Sequence, residues 1–129
     1  MANHEAVDPL DVAARLFAAI EGGRIDEVRE LYAPDVVVWH NHDGVEQDRD
    51  ANLTTLRWVT ANVAGFRYTD VRRHLTDDGF VQQHVARGTN RAGREVAMPA
   101  CIVVRLEAGR IARLEEYLDA TQARQFIER

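Results

Sequence analysis

The sequence contains a single cysteine, Cys101, so no disulfide can form within one chain, and a reducing cytoplasmic location is expected. Basic residues are outnumbered by acidic ones, because 16 arginines stand against 21 acidic residues and give a net charge of −5. A negative chain is poorly suited to nucleic acid or to an anionic membrane, so neither is expected as a partner. No apolar run is long enough to cross a bilayer, and residues 1–10 lack the basic and apolar segments of a signal peptide.

What the sequence does contain is enough apolar material for a real core. Hydrophobic residues make up 46% of the 129 positions, which is typical of a globular protein. This length predicts one domain covering residues 1–129, since most domains of this size have one hydrophobic core.

The first half of the chain has helical periodicity. Asp8 can cap a first helix that has Pro9 at its first position and stops at Gly22–Gly23. A second, short helix runs from Ile25 towards Pro34, and a strand follows at residues 36–40. A third helix begins at Asp50, and Gly65 follows its end.

The second half of the chain has the period of strands. Strand patterns cover residues 66–75, 80–89, 94–107 and 110–119, and glycine-containing turns separate them. Helices followed by a meander of strands predict an α+β fold, with a curved and mostly antiparallel sheet whose concave side holds the N-terminal helices.

The last of these strands carries the most informative residue. Ala112, Leu114, Glu116 and Leu118 alternate with polar or charged residues, so Glu116 is the one carboxylate on an apolar face. A carboxylate on a core-facing stripe needs a partner, a proton or a wet cavity. The pattern therefore predicts a ligand pocket beside Glu116.

The order of elements and three segments of sequence resemble one superfamily. The segments are LYAPDVVVWHNHDG (31–44), GREVAMPACIVVRLEAGRI (93–111) and RLEEYLD (113–119). They are similar to the nuclear-transport-factor-two-like, or SnoaL-like, superfamily, which includes ketosteroid isomerase, limonene epoxide hydrolase, scytalone dehydratase and polyketide cyclases. The resemblance implies a curved, cone-shaped sheet around a pocket, and it implies dimers formed through the sheet. It does not fix a reaction, because this fold hosts many chemistries.

The resemblance to ketosteroid isomerase implies places for three catalytic groups. His40 stands where the isomerase has its carboxylate base, and Leu16 stands where it has a tyrosine. Cys101, after Pro99 and Ala100, is the counterpart of its protonated aspartate. Both strong donors to the enolate oxygen are missing, which argues against steroid isomerisation by that mechanism.

Other members of the superfamily imply other roles. The resemblance to limonene epoxide hydrolase aligns Glu116 with a catalytic carboxylate. The companion arginine and aspartate on the third strand of that enzyme have no visible counterpart here, and His84 is the nearest inward candidate on that strand. Scytalone-type dehydratases also use a histidine near that strand. SnoaL-like cyclases have an acid–base aspartate near the end of the last strand, where Asp119 is the nearest match.

His40 and Glu116 each have a functional and a structural interpretation. His40 can act as a general base near neutral pH, or it can simply hydrogen-bond to loop backbone at the end of its strand. Glu116 can be an acid or base, or it can pair with an arginine such as Arg105. His40 and His42 have the sequence spacing of a metal-binding pair. No third ligand follows at a spacing that is characteristic of zinc sites, so no metal is expected.

The remaining candidates are also open to two interpretations. His84 shares its strand face with Gln82, and this polar stripe suits either a pocket wall or a dimer face. Asp119 can take part in the site or cap the terminal helix. Cys101 can border the pocket or be a small core residue. The candidate substrate-binding residues are Trp39, His42, Trp58, Cys101 and Asp119.

Two functions therefore remain open. The first is a cofactor-free acid–base enzyme (an isomerase, dehydratase, cyclase or epoxide hydrolase) for a small apolar oxygenated molecule, with His40, His84 and Glu116 as its catalytic residues. The second is a non-catalytic module that binds a small ligand or a partner chain. We expect Glu116 and at least one histidine to line one cavity, together with Trp39 or Trp58. We also expect a homodimer through an apolar outer face of the sheet, formed by Tyr68, Val81, Val85, Val103 and Tyr117.

Overall fold

The computed structural model of the protein describes residues 7–128, which form four helices and six strands. It confirms the α+β prediction, with the helical segments first and the long strands afterwards. The elements are α1 (Pro9–Glu21), α2 (Ile25–Leu31), β1 (Tyr32–His40), β2 (Glu46–Gln47), α3 (Arg49–Asn62), β3 (Ala64–Leu75), β4 (Gly79–Thr89), β5 (Glu95–Glu107), β6 (Arg110–Leu118) and α4 (Ala120–Phe126).

Aspartate caps set the starts of the two long helices. The Asp8 carboxylate accepts a hydrogen bond from the Leu10 amide at 2.9 Å, which satisfies a donor that the first turn of α1 leaves without a partner. Asp48 does the same for the Ala51 amide at 2.8 Å, so α3 begins one residue before the predicted Asp50. These two caps stabilise the starts of α1 and α3, the helices that pack on the sheet.

The sheet has the strand order β2-β1-β6-β5-β4-β3. Every neighbouring pair is antiparallel except β1 and β6, which run parallel, so the predicted curved and mostly antiparallel sheet is confirmed. The last long strand therefore lies in the interior of the sheet, between β1 and β5. The parallel register places His40 level with Glu116.

The core lies between the inner face of the sheet and the helices. From Phe80 onward the residues of β4 alternate, with Phe80, Gln82, His84 and Ala86 buried and the residues between them half-buried. Helix α1 packs its apolar face over β3 and β4, and α3 packs over β1. At one end of the inner face a second apolar cluster surrounds Phe126 of α4.

A bulge in β3 changes which side chains face inward. Asp70 has φ 55°, and the pairing with β4 shifts by one residue between Thr69 and Arg72. As a result Tyr68 lies opposite Ala86 on the inner face, and Arg73 also lies inward, opposite Gln82. The expectation that Tyr68 belongs to the outer face is therefore wrong.

Two sequence expectations concern the chain termini and the membrane. The segment considered for a signal peptide includes residues 1–6, which lie outside the described part of the chain. Within residues 7–128, no helix is long and apolar enough to cross a membrane.

Candidate acid–base site

His40 and Glu116 form a close pair on the inner side of the sheet. The Nε2 atom of His40 lies 2.9 Å from Oε1 of Glu116, and the two side chains are only 18% and 15% exposed. The partner of Glu116 is thus His40, and the alternative pair with Arg105 is wrong, since Arg105 bonds to Glu107. The pair joins a carboxylate to a group that can hold a proton near neutral pH.

The backbone around the pair fixes the ends of β1 and β6 together. The Asn41 amide donates to the Glu116 carbonyl oxygen at 3.0 Å. The Asn41 side-chain oxygen accepts a hydrogen bond from the Leu118 amide at 2.8 Å. Because these bonds lie directly beside the pair, they hold His40 and Glu116 at one height in the sheet.

The surroundings of His40 favour its charged form. Burial lowers the pKa of His40, but the hydrogen bond and charge of Glu116 and the charge of Asp43 outweigh it, so the pKa is raised overall. The imidazolium of His40 and the carboxylate of Glu116 therefore stabilise each other.

His40 and Glu116 line a cavity of about 50 Å³ between the sheet and α1 and α3. Most of its wall is apolar, which suits an apolar ligand with one polar end. Leu16, which the resemblance placed at a tyrosine position of ketosteroid isomerase, is part of this wall. The wall consists of Leu16, Phe17, Ile20, Tyr32, Val38, His40, Asn52, Leu56, Tyr68, Ile102, Leu114 and Glu116.

Tyr32 and Asn52 are site residues that the sequence analysis missed. The Tyr32 hydroxyl donates to Oδ1 of Asn52 at 2.8 Å, and Nδ2 of Asn52 donates to Oε1 of Gln47 at 3.0 Å. Burial and the charge of Glu116 raise the pKa of Tyr32, so the phenol keeps its proton. The sequence holds a clue to the inward position of Asn52, because Asn52 lies four residues before Leu56 and therefore shares its helical face. In the structure Asn52 is buried.

Tyr68 is a third missed residue and brings another phenol to the cavity. Its ring packs edge-on against the rings of Phe17 and His84, with distances of 4.8 Å and 4.7 Å between the ring centres. Burial raises the pKa of Tyr68, and the charge of Glu116 adds to the effect, so this phenol also stays protonated. The cavity thus contains the phenol of Tyr68, whereas the hydroxyl hydrogen of Tyr32 is used in its bond to Asn52.

His84 lies on the inner face, as its alternation with Phe80 predicted, and it is 4% exposed. Two walls of the cavity, Phe17 and Tyr68, touch its ring edge-on. The pKa of His84 is lowered, mainly by burial. The charge of Glu116 acts to raise this pKa, and the charge of Arg73 acts to lower it further. His84 is therefore a neutral imidazole at neutral pH, in contrast to His40.

The two tryptophans do not line this cavity. Trp39 points to the outer face, where its ring packs against Tyr117 at 5.3 Å, because neighbours on a strand point to opposite sides. Trp58 packs with the cluster around Phe126, and the Arg91 guanidinium lies 5.3 Å from its ring centre. The expectation that one of them joins Glu116 in the cavity is wrong.

The other predicted substrate-binding residues also lie elsewhere. His42 is in the exposed turn after β1, with its ring 5.7 Å from that of His40. Cys101 is half-buried on the outer face, in a groove of about 380 Å³ shared with Tyr117, so the core interpretation is wrong. Asp119 caps α4 by accepting a hydrogen bond from the Thr121 amide at 2.7 Å.

Metal ligation has no support in the side-chain arrangement of the described residues. Between residues 7 and 128, no group of three or more His, Cys, Asp or Glu side chains could hold a metal ion. His40 ends β1, and His42 lies in the turn that follows.

Comparisons with known proteins extend these observations. The chain is similar to IdmH of Streptomyces antibioticus, described as a candidate polyketide cyclase, with 26% identity, 92% of this chain and 97% of that chain covered, and a TM-score of 0.79. It is also similar in fold to a candidate polyketide cyclase of Pseudomonas putida, with 17% identity, 95% and 100% covered, and a TM-score of 0.82.

A third similar fold is a ketosteroid isomerase-like protein of Catenulispora acidiphila, solved in complex with trimethylamine. It shares 15% identity, with 94% of this chain and 96% of that chain covered and a TM-score of 0.79. No curated protein matches the sequence. Residues 13–114, most of the chain, match the SnoaL-like domain family, and the chain therefore belongs to that family.

Proposed function

We propose that the protein is a cofactor-free acid–base enzyme for a small apolar oxygenated molecule, with Glu116 as the group that moves the proton. The observation that carries the proposal is the 2.9 Å pair of His40 and Glu116 at the wall of an apolar cavity. The apolar wall disfavours the charge of Glu116, and the contact with His40 offsets that cost, so the pair keeps an ionisable carboxylate at the cavity.

The chemistry that suits this site is proton abstraction beside a carbonyl group. Glu116 takes a proton from carbon, the C–H bond breaks, and its electron pair moves onto the carbonyl oxygen as an enolate. Return of the proton to another carbon completes an isomerisation. Loss of a hydroxide from the enolate, with a proton supplied to it, completes a dehydration, and attack of the enolate on a second carbonyl completes an aldol-type cyclisation.

His40 has a supporting and a proton-holding role in this proposal. Its hydrogen bond orients the Glu116 carboxylate, and its raised pKa lets the pair keep a proton near neutral pH. His84 is the third catalytic residue of the proposal because it is neutral and packs directly behind Phe17 and Tyr68 of the cavity wall, of which it is not itself a part.

The comparisons support the class of substrate rather than its identity. IdmH, which is similar over nearly the whole chain, is described as a candidate polyketide cyclase, and polyketides are rich in carbonyl groups next to C–H bonds. A related substrate for this chain fits an apolar cavity that has a base on one wall and protonated phenols on another.

Non-catalytic binding of a small ligand is the second candidate function. The observation in its favour is the cavity volume of about 50 Å³, well below the ~150 Å³ cavity that admits benzene in a model protein. A large substrate would require Leu56 or neighbouring side chains to move, whereas a small ligand or the end of a longer one would not.

Hydrogen–deuterium exchange at carbon separates the two functions without knowledge of the natural substrate. Acetone and butanone, which are smaller than benzene, are incubated with the protein in D₂O, and loss of the α-proton signal is followed by proton NMR. We expect exchange above the buffer rate with the natural sequence. Glu116→Gln should reduce the catalysed exchange by about 10²-fold or more, since it removes the base.

Glu115 provides a matched control on the opposite face of the same strand. Its carboxylate bonds to Arg113 outside the cavity, so Glu115→Gln should leave exchange unchanged. If Glu116→Gln exchanges ketone protons as fast as the natural protein, Glu116 is not the base. If a ketone binds but no exchange occurs above the buffer rate, the binding function is the correct one.

We also propose that the protein is a homodimer formed through the outer face of the sheet. That face presents Trp39 and Tyr117 in contact, with Val85, Cys101 and Val103 on the strands beside them. Aromatic and aliphatic side chains together are typical of the centre of a protein interface.

A further inference from the structure

A groove of about 190 Å³ lies between the ends of α1 and α3 and the start of β3. Its wall includes Glu21 of α1, Thr60 of α3 and Phe66 of β3. The same three elements line the cavity that contains Glu116, to which they contribute Phe17, Leu56 and Tyr68. The groove therefore shares its three supporting elements with the site of the proposed function.

Along both helices the groove lies one turn beyond the cavity. Glu21 follows Phe17 by four residues, so it lies on the same face of α1 and about 6 Å further along the helix. Thr60 follows Leu56 by the same interval on α3. The two helices therefore give the same displacement from the cavity to the groove.

The strand gives a matching displacement. Phe66 precedes Tyr68 by two residues, so the two side chains share one face of β3 and lie about 6.6 Å apart along it. Their rings pack edge-on, with 5.3 Å between the ring centres. Oε2 of Glu21 also accepts a hydrogen bond from the Tyr68 amide at 3.0 Å. The cavity and the groove are thus successive spaces in one cleft.

The electrostatic potential in the groove is negative. The groove lies at the C-terminal ends of α1 and α3, where each helix dipole has its negative end, and neither last turn contains a basic residue. Glu21 adds a carboxylate to the same wall. Two arginines that border the groove are already bound, Arg24 to Glu27 at 3.1 Å and Arg67 to the Gly65 carbonyl oxygen at 3.1 Å. A hydrogen-bond donor is therefore favoured in the groove, and an anion is disfavoured.

The inner cavity alone is small, because its volume of about 50 Å³ is well below the ~150 Å³ that admits benzene in a model protein. A longer ligand must extend into a neighbouring space, and the groove is such a space within the same cleft. Leu56 on the cavity side and Phe66 on the groove side are half-buried, which leaves both side chains free to change rotamer.

We propose that the groove is the outer part of the ligand site, and that the ligand is an elongated apolar molecule with a polar group at each end. One end lies beside Glu116, and a hydroxyl group at the other end donates a hydrogen bond to Glu21. Leu56 and Phe66 turn aside to admit the chain between the two ends. The inference deepens the proposed function and rests on its assignment of the cavity beside Glu116 as the ligand site.

The position of a bound ligand is measurable from the amides of ¹⁵N-glycine-labelled protein. The chain has eight glycines, of which Gly22, Gly23 and Gly65 line the groove. We expect 1,8-octanediol to shift these three amide resonances, while 1,4-butanediol, which is too short to reach the groove from Glu116, leaves them unchanged. Gly79 and Gly109 lie at the opposite end of the central strands and should not move with either diol.

A large side chain at Thr60 should close the groove. The natural protein should bind the octanediol more tightly than the butanediol, by about threefold for each added CH₂ group that becomes buried. Thr60→Phe should remove most of this gain. Thr54→Phe is the matched control, because Thr54 lies on the exposed face of the same helix and, like Thr60, donates its hydroxyl hydrogen to a backbone carbonyl oxygen.

The role of Glu21 is tested with 8-hydroxyoctanoate, which has a carboxylate in place of one hydroxyl end of the octanediol. The natural protein should bind the diol more tightly than the carboxylate. Glu21→Gln keeps an acceptor for the Tyr68 amide but removes the charge, so the ratio of the two affinities should fall by about fivefold. Glu30→Gln, on the exposed side of α2, is the matched control and should leave the ratio unchanged.

Each arm of the experiment has a result that contradicts the inference. Octanediol that leaves Gly22, Gly23 and Gly65 unmoved would overturn it, and this result needs no variant, so the test stays decisive if Thr60→Phe does not fold. A chain-length gain that is equal in Thr60→Phe and Thr54→Phe would also overturn it. An affinity ratio that Glu21→Gln does not change would remove Glu21 as the acceptor.

Failure of this inference is distinguishable from failure of the proposed function, because exchange of butanone protons requires only the inner cavity. If the natural protein catalyses exchange but octanediol does not shift the groove glycines, the groove is not part of the site. If octanediol shifts these glycines and no exchange occurs, the groove is a ligand site and only the enzyme proposal fails.

Discussion

His40 and His84 lie on the same side of the sheet, yet their surroundings move their pKa values in opposite directions. Burial lowers the pKa of both, but His40 touches the Glu116 carboxylate at 2.9 Å, and this contact raises its pKa overall. His84 instead faces the NH₂ group of Gln82 and rings of Phe17 and Tyr68, so its pKa stays lowered. The two histidines therefore contribute to stability in opposite pH ranges.

The His40 contribution should be present in mild acid and fade as the pH rises. A raised folded-state pKa means that the folded protein binds the proton more tightly, so the gain is complete below the ordinary pKa of 6.5 and is lost as pH rises through the raised value. We expect His40→Asn to lower the free energy of unfolding by about 1–2 kcal/mol at pH 6 and by less at pH 9. Urea unfolding measures both.

Exposed His74 of β3 gives the matched control, and His74→Asn should change stability little at either pH. The interpretation is wrong if the difference between His40→Asn and the natural protein is the same at pH 6 and pH 9.

The His84 contribution should have the opposite sign. Its folded-state pKa is lowered, so below the ordinary value of 6.5 the unfolded chain takes up a proton that the folded protein does not, and stability falls with acidification. His84→Phe fills the same apolar surroundings without a titrating group. The natural protein should therefore lose more stability between pH 7 and pH 5 than this variant, by urea unfolding, and equal losses would contradict the pKa assignment.

At the scale of the elements, the bulge in β3 decides what the inner face contains. Without the extra residue at Asp70, a strand that places Tyr68 inward would place Arg73 outward, because alternate residues share a face. The bulge allows both Tyr68 and Arg73 to point inward. The phenol of Tyr68 therefore lines the cavity, and Arg73 hydrogen-bonds to Gln82 and orients its side chain.

The left-handed backbone at Asp70 makes a specific demand on its residue type. At φ 55° a β-branched residue is strained, while aspartate, asparagine and glycine are tolerated. Asp70→Val should lower the free energy of unfolding by about 1–2 kcal/mol, and Asp70→Asn and Asp70→Gly should change it by less. Equal destabilisation by all three variants in urea would show that the side-chain contacts of Asp70 matter and the backbone conformation does not.

The helices and strands, and the inward face of the last strand, were predictable from the sequence. Hydrophobic periodicity and helix-capping residues depend only on residues close together in the chain. The alternation around Glu116 predicted its inward position, and the two-residue steps from Val36 and Val38 predicted that of His40. Tyr68 could not be placed, because a bulge of one residue reverses the alternation and leaves no pattern of its own in the sequence.

The composition of the candidate site was harder to predict than its strands. Trp39 was expected in the same cavity as His40, although adjacent strand residues point to opposite faces. Tyr32 and Asn52 meet only because β1 and α3 pack together, and their bond joins residues 20 positions apart. Contacts of that kind depend on how elements pack, which a single sequence does not show.

At the scale of the whole molecule, the outer face of the sheet carries apolar side chains that the helices leave uncovered. The helices all lie over the other face or at its end, and Val103 and Tyr117 remain 36% and 44% exposed. Trp39 and Val85 flank them on neighbouring strands, half-buried. Solvated sheet faces carry fewer large apolar side chains than this, which favours a partner surface.

A second copy of the chain is the partner that we predict for this face. Sedimentation at micromolar concentration should give a species of twice the 14.6 kDa chain mass. Val103→Arg places a charge within the face and should yield monomers, because an unpaired charge buried in an interface costs several kcal/mol. Val45→Arg, at the exposed turn before β2, is the matched control and should remain dimeric. A natural protein that sediments only as a monomer would contradict the prediction, whereas a dimer that survives Val103→Arg would require a different interface.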